Sequence, residues 1–249
     1  MYARNDTLGR REVGSEASGT RPYALVGPEA RGSLGRGGLL EPLMPNELNH
    51  IHLFEPGSDA ITLLLLHGTG GDEHDLLPLG RMLYPSANLL SARGNVLEAG
   101  MPRFFRRLSM GVFDVEDLKA RATDLMAFVD EGARVYGFDR DRVLVVGYSN
   151  GANIAAGMLL SVDRPFLGAA LLHAMTPFEP DPLPELSGVR VLLTGGRRDQ
   201  MIPAASTEHL SELLASSGAD VSLHWEPGGH ELTPAEVGAV KEWIGKVAG

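Results

Sequence analysis

The chain has 249 residues, 43% of them hydrophobic, which is enough to bury a full core and favours one domain or at most two. A formal net charge of -10 and a pI near 5.3 set its surface against nucleic acid and anionic membrane as partners. No run approaches the roughly 18 apolar residues of a membrane span, and the absence of cysteine excludes disulfides and thiol catalysis, leaving the cytoplasm as the simplest compartment.

Residues 1 to 43 are rich in Gly and Arg, lack apolar periodicity and carry both charge signs, so the reading predicts a disordered extension. It has no apolar h-region, and Asp6, Glu12, Glu16 and Glu29 argue against a transit peptide. The extension reads as an upstream start or a dispensable tail, with a single folded domain over 44 to 249. Alternation over Asn49 to Phe54 predicts a strand, and Ile61 to Leu66 is a continuous apolar run of the kind buried on both sheet faces. A helix is expected over Asp75 to Leu83 with Pro78 near its first turn, then a short strand over Asn88 to Ser91. From Gly94 to Met110 periodicity fails, and this stretch, with Phe104, Phe105 and a cluster of arginines, reads as a long excursion above the sheet. Asp114 caps a helix to about Tyr136, whose apolar stripe runs from Leu118 through Ala122, Leu125 and Val129.

Further buried strands are predicted at Val143 to Val146, Gly168 to Leu172, Val189 to Thr194 and Val221 to Trp225. Helices fall between them, over Ala152 to Leu160 and from Pro203 to Gly218. Thr233-Pro234-Ala235-Glu236 supplies an N-cap, a proline at the first position and a capping-box glutamate for a last helix. Strands alternating with helices imply an α/β fold, a mostly parallel doubly wound sheet with helices on both faces.

Gly147-Tyr148-Ser149-Asn150-Gly151 joins one of these strands to a helix. Gly-x-Ser-x-Gly in that context is the nucleophile-elbow arrangement, in which a sharp turn lifts the serine oxygen out at the sheet's edge and glycines let the two backbones approach. Ser149 is the candidate nucleophile. A serine hydroxyl needs a base, and the base needs an acid to orient it; on such sheets they follow in the order Ser, Asp/Glu, His. Asp199, beyond the turn Gly195-Gly196-Arg197-Arg198, and His230, in the loop after Glu226-Pro227-Gly228-Gly229, fit that order. His173 ends a strand within reach of the site but precedes Asp199; His224 alternates within a strand as a structural side chain, and His209 falls on a solvated helix face. For the oxyanion, the backbone N–H groups of Asn150 and of Thr69, in His67-Gly68-Thr69-Gly70-Gly71, are the expected donors, with His67 holding the loop.

Two metal-like clusters, His50-x-His52 and Asp72-Glu73-His74-Asp75, are better explained without a metal: the first lacks a third ligand, and the second suits a helix N-terminus. No metal or other cofactor is expected.

Taken together, His67-Gly68, the Ser149 elbow, Asp199 followed by Ile202-Pro203, and Gly229-His230 resemble the phospholipase/carboxylesterase family of α/β-hydrolases, which includes the acyl-protein thioesterases. Arg93-Gly94-Asn95, Pro102 to Arg107 and Gly111 to Asp114 further resemble its small bacterial branch, associated with hydroquinone or aromatic metabolism. The resemblance covers about residues 48 to 249. It implies a cofactor-free serine carboxylesterase acting on small esters, with Phe104, Phe105 and Met175 walling the substrate pocket and a homodimer as the common assembly. A thioesterase or lysophospholipase is the alternative within enzymes, and a non-catalytic ligand-binding protein the alternative outside them.

Overall fold

The computed structural model describes residues 48–109 and 111–249, together with the backbone of Ala24–Leu25. The elements run β1 (Ala24–Leu25), β2 (His52–Glu55), β3 (Thr62–Leu66), α1 (Leu77–Leu83), β4 (Asn88–Ala92), β5 (Val96–Glu98), β6 (Met101–Arg103), β7 (Arg107–Ser109), β8 (Val112–Phe113) and α2 (Val115–Tyr136). They continue with β9 (Val143–Tyr148), α3 (Asn150–Leu159), β10 (Gly168–Leu172), β11 (Arg190–Gly196), α4 (Ala204–Ser216), β12 (Asp220–Glu226) and α5 (Pro234–Ala248). β1 lies inside the extension expected to be disordered, where it pairs antiparallel with β2; the rest of that expectation lies outside the described residues.

Eight strands form one sheet in the order β1-β2-β4-β3-β9-β10-β11-β12. From β4 to β12 neighbours are parallel, while β2 joins β4 antiparallel. The chain winds outward one way from β3 to β4 and the other way from β9 to β12. The order therefore reverses between β3 and β9, the crevice where open α/β sheets take ligands.

The apolar runs make this sheet a central layer. Successive side chains point to opposite faces, so Leu64, Leu66, Val143, Val145, Ala169 and Leu171 enter one core with α2, α3 and α4. Leu63, Leu65, Leu144, Val146, Ala170 and Leu172 enter the other with α1 and α5. The excursion after β4 resolves into two small hairpins, β5 with β6 and β7 with β8. The first turns through Ala99 and Gly100, both at positive φ, the conformation a tight hairpin needs. α5 carries the expected capping box: the Thr233 side chain accepts from Glu236 N–H, and the Glu236 carboxylate accepts from Thr233 N–H.

The tightest junction is between β9 and α3. Ser149 has φ 52° and ψ -110°, a strained conformation for a residue with a side chain. A Cβ on Gly147 would lie 2.6 Å from the Gly151 carbonyl oxygen, and one on Gly151 would lie 1.9 Å from the Leu66 carbonyl oxygen. Both glycines are required for the helix start to press against β3 and β9.

Buried histidines add a pH dependence to the fold. His50 lies against Phe128 with ring centroids 5.0 Å apart, and its pKa is lowered to about 4, first by burial and then by His52 and Arg121. Burial also lowers His52 and His67 against the opposing pull of a backbone carbonyl on each.

Gly151→Ala is expected to destabilise the protein by about 1–3 kcal/mol in denaturant unfolding. In contrast, Gly238→Ala, on α5 with open space around its Cβ, is expected to be neutral or to stabilise by up to about 1 kcal/mol. The unfolded chain binds protons at His50 that the folded chain refuses between pH 6.5 and about 4, so stability present above pH 6.5 is lost as pH falls through that window. The shift corresponds to about 3 kcal/mol, and Tm of His50→Gln should fall less steeply over that window than wild type.

Candidate active site

Strand register gathers the site. Leu66 pairs with Gly147, and Leu172 pairs with both Tyr148 and Thr194, so the loops after β3, β9, β10 and β11 leave the sheet side by side. Ser149 N–H donates to Leu172 O at 2.8 Å, and His173 N–H donates to Thr194 O at 3.0 Å. The loops after β11 and β12 are fastened together by Arg198 N–H donating to Gly228 O at 2.9 Å. A Cβ on Gly196 would lie 1.9 Å from Gly229 O, so that approach also needs glycine.

Ser149, His230 and Asp199 come together. Ser149 Oγ is 2.8 Å from His230 Nε2, and His230 Nδ1 is 2.6 Å from Asp199 Oδ2. Tyr148, next to the serine, donates its hydroxyl to the His230 carbonyl at 2.7 Å and so ties the histidine's loop to the elbow. Asp199 Oδ1 accepts from the N–H groups of Met201 at 2.8 Å and Ile202 at 3.0 Å. Burial alone would raise the Asp199 carboxyl; the bonds from His230, Ile202, Met201 and His173 outweigh it and hold the group below the ordinary aspartate range.

The loop after β3 faces the elbow. His67 is buried; its Nε2 accepts from Gly94 N–H at 3.0 Å, so Nδ1 carries the proton and donates to Gly68 O at 2.6 Å. Gly70 N–H donates to Pro102 O at 2.9 Å, fastening the loop to β6. The Thr69 hydroxyl accepts from Arg103 Nη1 at 2.6 Å. Asn150 is buried at the start of α3, where its side-chain oxygen accepts from Phe104 N–H at 2.8 Å. Asn150 opens α3 at the positive end of its dipole, and Thr69 lines the same cleft as Ser149.

A cleft of about 50 Å³ opens beside Ser149, and its walls include Thr69, Arg103, Asn150, Asn153, Met175 and Ile202. Met175 lines it. Phe104 and Phe105 do not: both are packed in the core under the hairpins, Phe104 against His67 with ring centroids 4.8 Å apart and Phe105 against Phe113 at 4.9 Å. Both lie in the bend between β6 and β7, where Phe104 N–H is held by the Asn150 side chain, and Arg103 reaches the cleft. The excursion's arginines meet acids: Arg93 with Glu73 at 2.5 Å, Arg103 with Glu98 at 3.3 Å, Arg106 with Asp114 at 3.1 Å and Arg107 with Glu98 at 2.6 Å.

Other polar candidates are engaged elsewhere. His52 contacts His50 O and the Tyr136 hydroxyl, each at 2.7 Å; His209 pairs with Glu179 at 2.9 Å, and His224 with Glu226 at 2.8 Å. Asp72, Glu73 and His74 do cluster, with Glu73 bound to Arg93. Arg197 stacks over Trp225 at 4.1 Å, and Arg198 donates to Pro227 O at 2.7 Å, so the Gly195-Gly196 turn serves to join two loops.

Two residues join the site that chain order did not select. His173, wholly buried and at φ 57°, has Nδ1 3.0 Å from Asp199 Oδ2. Its Nε2 faces Glu236 Oε1 at 3.4 Å without a hydrogen bond of good geometry. Glu236 reads in the sequence only as a cap; it is fully buried and also accepts the Thr194 hydroxyl. The available signal is a histidine closing an otherwise apolar strand, one residue past the pairing that aligns β10 with the elbow.

The chain also matches known proteins over most of its length. The sequence profile described as phospholipase/carboxylesterase matches residues 55–248. MhqD of Bacillus subtilis (strain 168) is 49% identical over 192 residues, spanning 77% of this chain and 96% of that protein. The crystal structure of the Bacillus cereus carboxylesterase is 48% identical with a TM-score of 0.78, covering 80% of this chain and 95% of that one. A carboxylesterase from Mesorhizobium loti is 30% identical with a TM-score of 0.74, covering 79% and 94% respectively. With its elbow at the β3/β9 crevice and its family profile over most of its length, this chain belongs to the phospholipase/carboxylesterase family of α/β-hydrolases.

Proposed function

We propose that this protein is a serine carboxylesterase that cleaves small carboxylic esters through an acyl-enzyme on Ser149. The observation that carries the reading is the continuous line from Ser149 Oγ to His230 Nε2 at 2.8 Å and from His230 Nδ1 to Asp199 Oδ2 at 2.6 Å, at the mouth of a cleft. Each atom in that line has a chemical task.

Ser149 Oγ attacks the ester carbonyl carbon while His230 Nε2 takes the hydroxyl proton. Asp199, an acceptor fixed by two backbone N–H groups, keeps His230 Nδ1 protonated and offsets the imidazolium charge as it forms. The carbonyl oxygen becomes the oxyanion, held by the N–H groups of Thr69 and Asn150. Collapse breaks the bond to the leaving alkoxide, which takes the proton from His230 and departs as the alcohol. A water then gives its proton to His230 and attacks the acyl carbon. The second tetrahedral intermediate expels Ser149 Oγ, the proton returns to it, and the carboxylic acid is released. No cofactor enters the cycle.

The cleft supports a short acyl group. Its volume of about 50 Å³ holds roughly three to five water-sized groups. Thr69, Arg103, Asn150 and Asn153 make part of its wall polar, which suits a small polar ester better than the alkyl chain of a lysolipid or a long-chain thioester.

Ser149→Ala is expected to lower kcat for p-nitrophenyl acetate by roughly four to six orders of magnitude, and Asp199→Asn by roughly four. A folded Ser149→Ala protein retaining wild-type turnover would overturn the assignment. Across a p-nitrophenyl ester series, kcat/KM should fall by roughly ten-fold or more between acetate and decanoate; a rise toward decanoate would move the lysophospholipase reading ahead.

A further inference from the structure

The structure assigns to His173 the role of a buried, positively charged imidazolium held between Asp199 and Glu236, a positioning residue that fixes the Asp199 carboxylate in place for His230. This inference rests on the esterase reading for the role of His230, and on geometry alone for the charge of His173.

Each carboxylate on either side is used only as an acceptor. Asp199 Oδ1 takes two backbone N–H groups, and Oδ2 faces His230 Nδ1 at 2.6 Å and His173 Nδ1 at 3.0 Å. Glu236 Oε1 takes the Thr194 hydroxyl, and Oε2 takes the Thr233 N–H at 3.4 Å. A carboxylate in acceptor-only surroundings is ionised. Both carboxylates are buried, with side-chain exposures of 1% and 0%. Two buried negative charges without a counter-ion would be costly.

The two ring nitrogens of His173 face those two carboxylates, Nδ1 toward Asp199 and Nε2 toward Glu236 Oε1 at 3.4 Å. A neutral ring offers one N–H and one lone pair. Either tautomer would set a lone pair beside a carboxylate oxygen inside the core, whereas the imidazolium hydrogen-bonds Asp199 through Nδ1 and places its charge 3.4 Å from Glu236 Oε1 at Nε2, a charge pair without hydrogen-bond geometry. The remaining groups around the ring are Tyr148, edge-on with centroids 6.0 Å apart, and the His230 ring at 5.0 Å, with Glu231 acting at longer range. Tyr148 is pushed further toward its neutral form by burial and by the neighbouring acids. Burial opposes charge on His173, yet Glu236 and Asp199 together hold its pKa above the ordinary histidine value.

A fixed positive charge on Asp199 affects the other histidine on the same oxygen. It holds the Asp199 carboxylate ionised and in place as the acceptor for His230 Nδ1. It also braces Asp199 from behind, through a residue whose backbone is bonded to β11.

Long-range ¹H–¹⁵N correlation spectra of the full chain labelled at its eight histidines read this directly. At pH 8.5 one ring should keep the imidazolium pattern, and His173→Gln should remove it. In folded His173→Gln, kcat for p-nitrophenyl acetate should fall by roughly ten-fold with KM little changed, because Asp199 loses the group that braces it. Glu236→Gln, which keeps the cap, should weaken or remove that imidazolium pattern at the same pH. No imidazolium at pH 8.5 in wild type would overturn the charge, with or without a foldable His173 variant. Wild-type kcat in folded His173→Gln would overturn the positioning role, since a merely structural residue alters stability but not kcat of the folded enzyme. Loss of the esterase reading would register separately, as absence of p-nitrophenyl acetate turnover in wild type with the ring charges still readable.

Discussion

The structure depends on how closely the chain can pass itself at Ser149. The serine backbone is held at φ 52°, outside the region its side chain prefers, and nothing within the pentapeptide alone would keep it there. What keeps it is the surroundings: β9 runs between two parallel neighbours, α3 is buried on all sides, and two glycines remove the atoms that would force strand and helix apart. The strain is met by the packing of the whole sheet, and it turns the Ser149 hydroxyl out of the core toward the crevice between β3 and β9.

From that constraint the charges fall into place. The carboxyl ends of β9, β10, β11 and β12 each deliver one polar side chain or its loop: Ser149, His173, Asp199 and His230. The fold treats its histidines differently according to what faces them. His50, His52 and His67 are surrounded by aromatic rings and carbonyls and are pushed toward neutrality by burial. His173, equally buried, is set between two carboxylates and is pushed the other way. Burial disfavours charge in every case, and only a facing opposite charge reverses the outcome.

Much of this is legible in the sequence, because the signals are local. The apolar runs of β3, β9 and β10, the Asp114 cap and the Thr233 capping box depend on neighbouring residues, and the structure has them within a residue or two of where periodicity puts them. Gly147 and Gly151 announce the close approach for the same reason. The two hairpins after β4 are not legible: their strands are two or three residues long, below the length at which alternation can be recognised, and Phe104 and Phe105, in the bend between them, are buried. Glu236 and His173 are missed for a different reason. One already has a sufficient local explanation as a cap and the other lies out of chain order, while their partnership exists only across 63 residues of sequence, through sheet register.

The central claim is that Ser149 is an activated nucleophile, and its most direct measurement is the site of covalent capture by a fluorophosphonate, read by peptide mass on the intact folded protein. The account predicts phosphonylation on the peptide bearing Ser149, absent in Ser149→Ala and strongly slowed in His230→Ala. A folded wild-type protein that turns over esters while Ser149 stays unlabelled, or that takes the label on another serine, would contradict it.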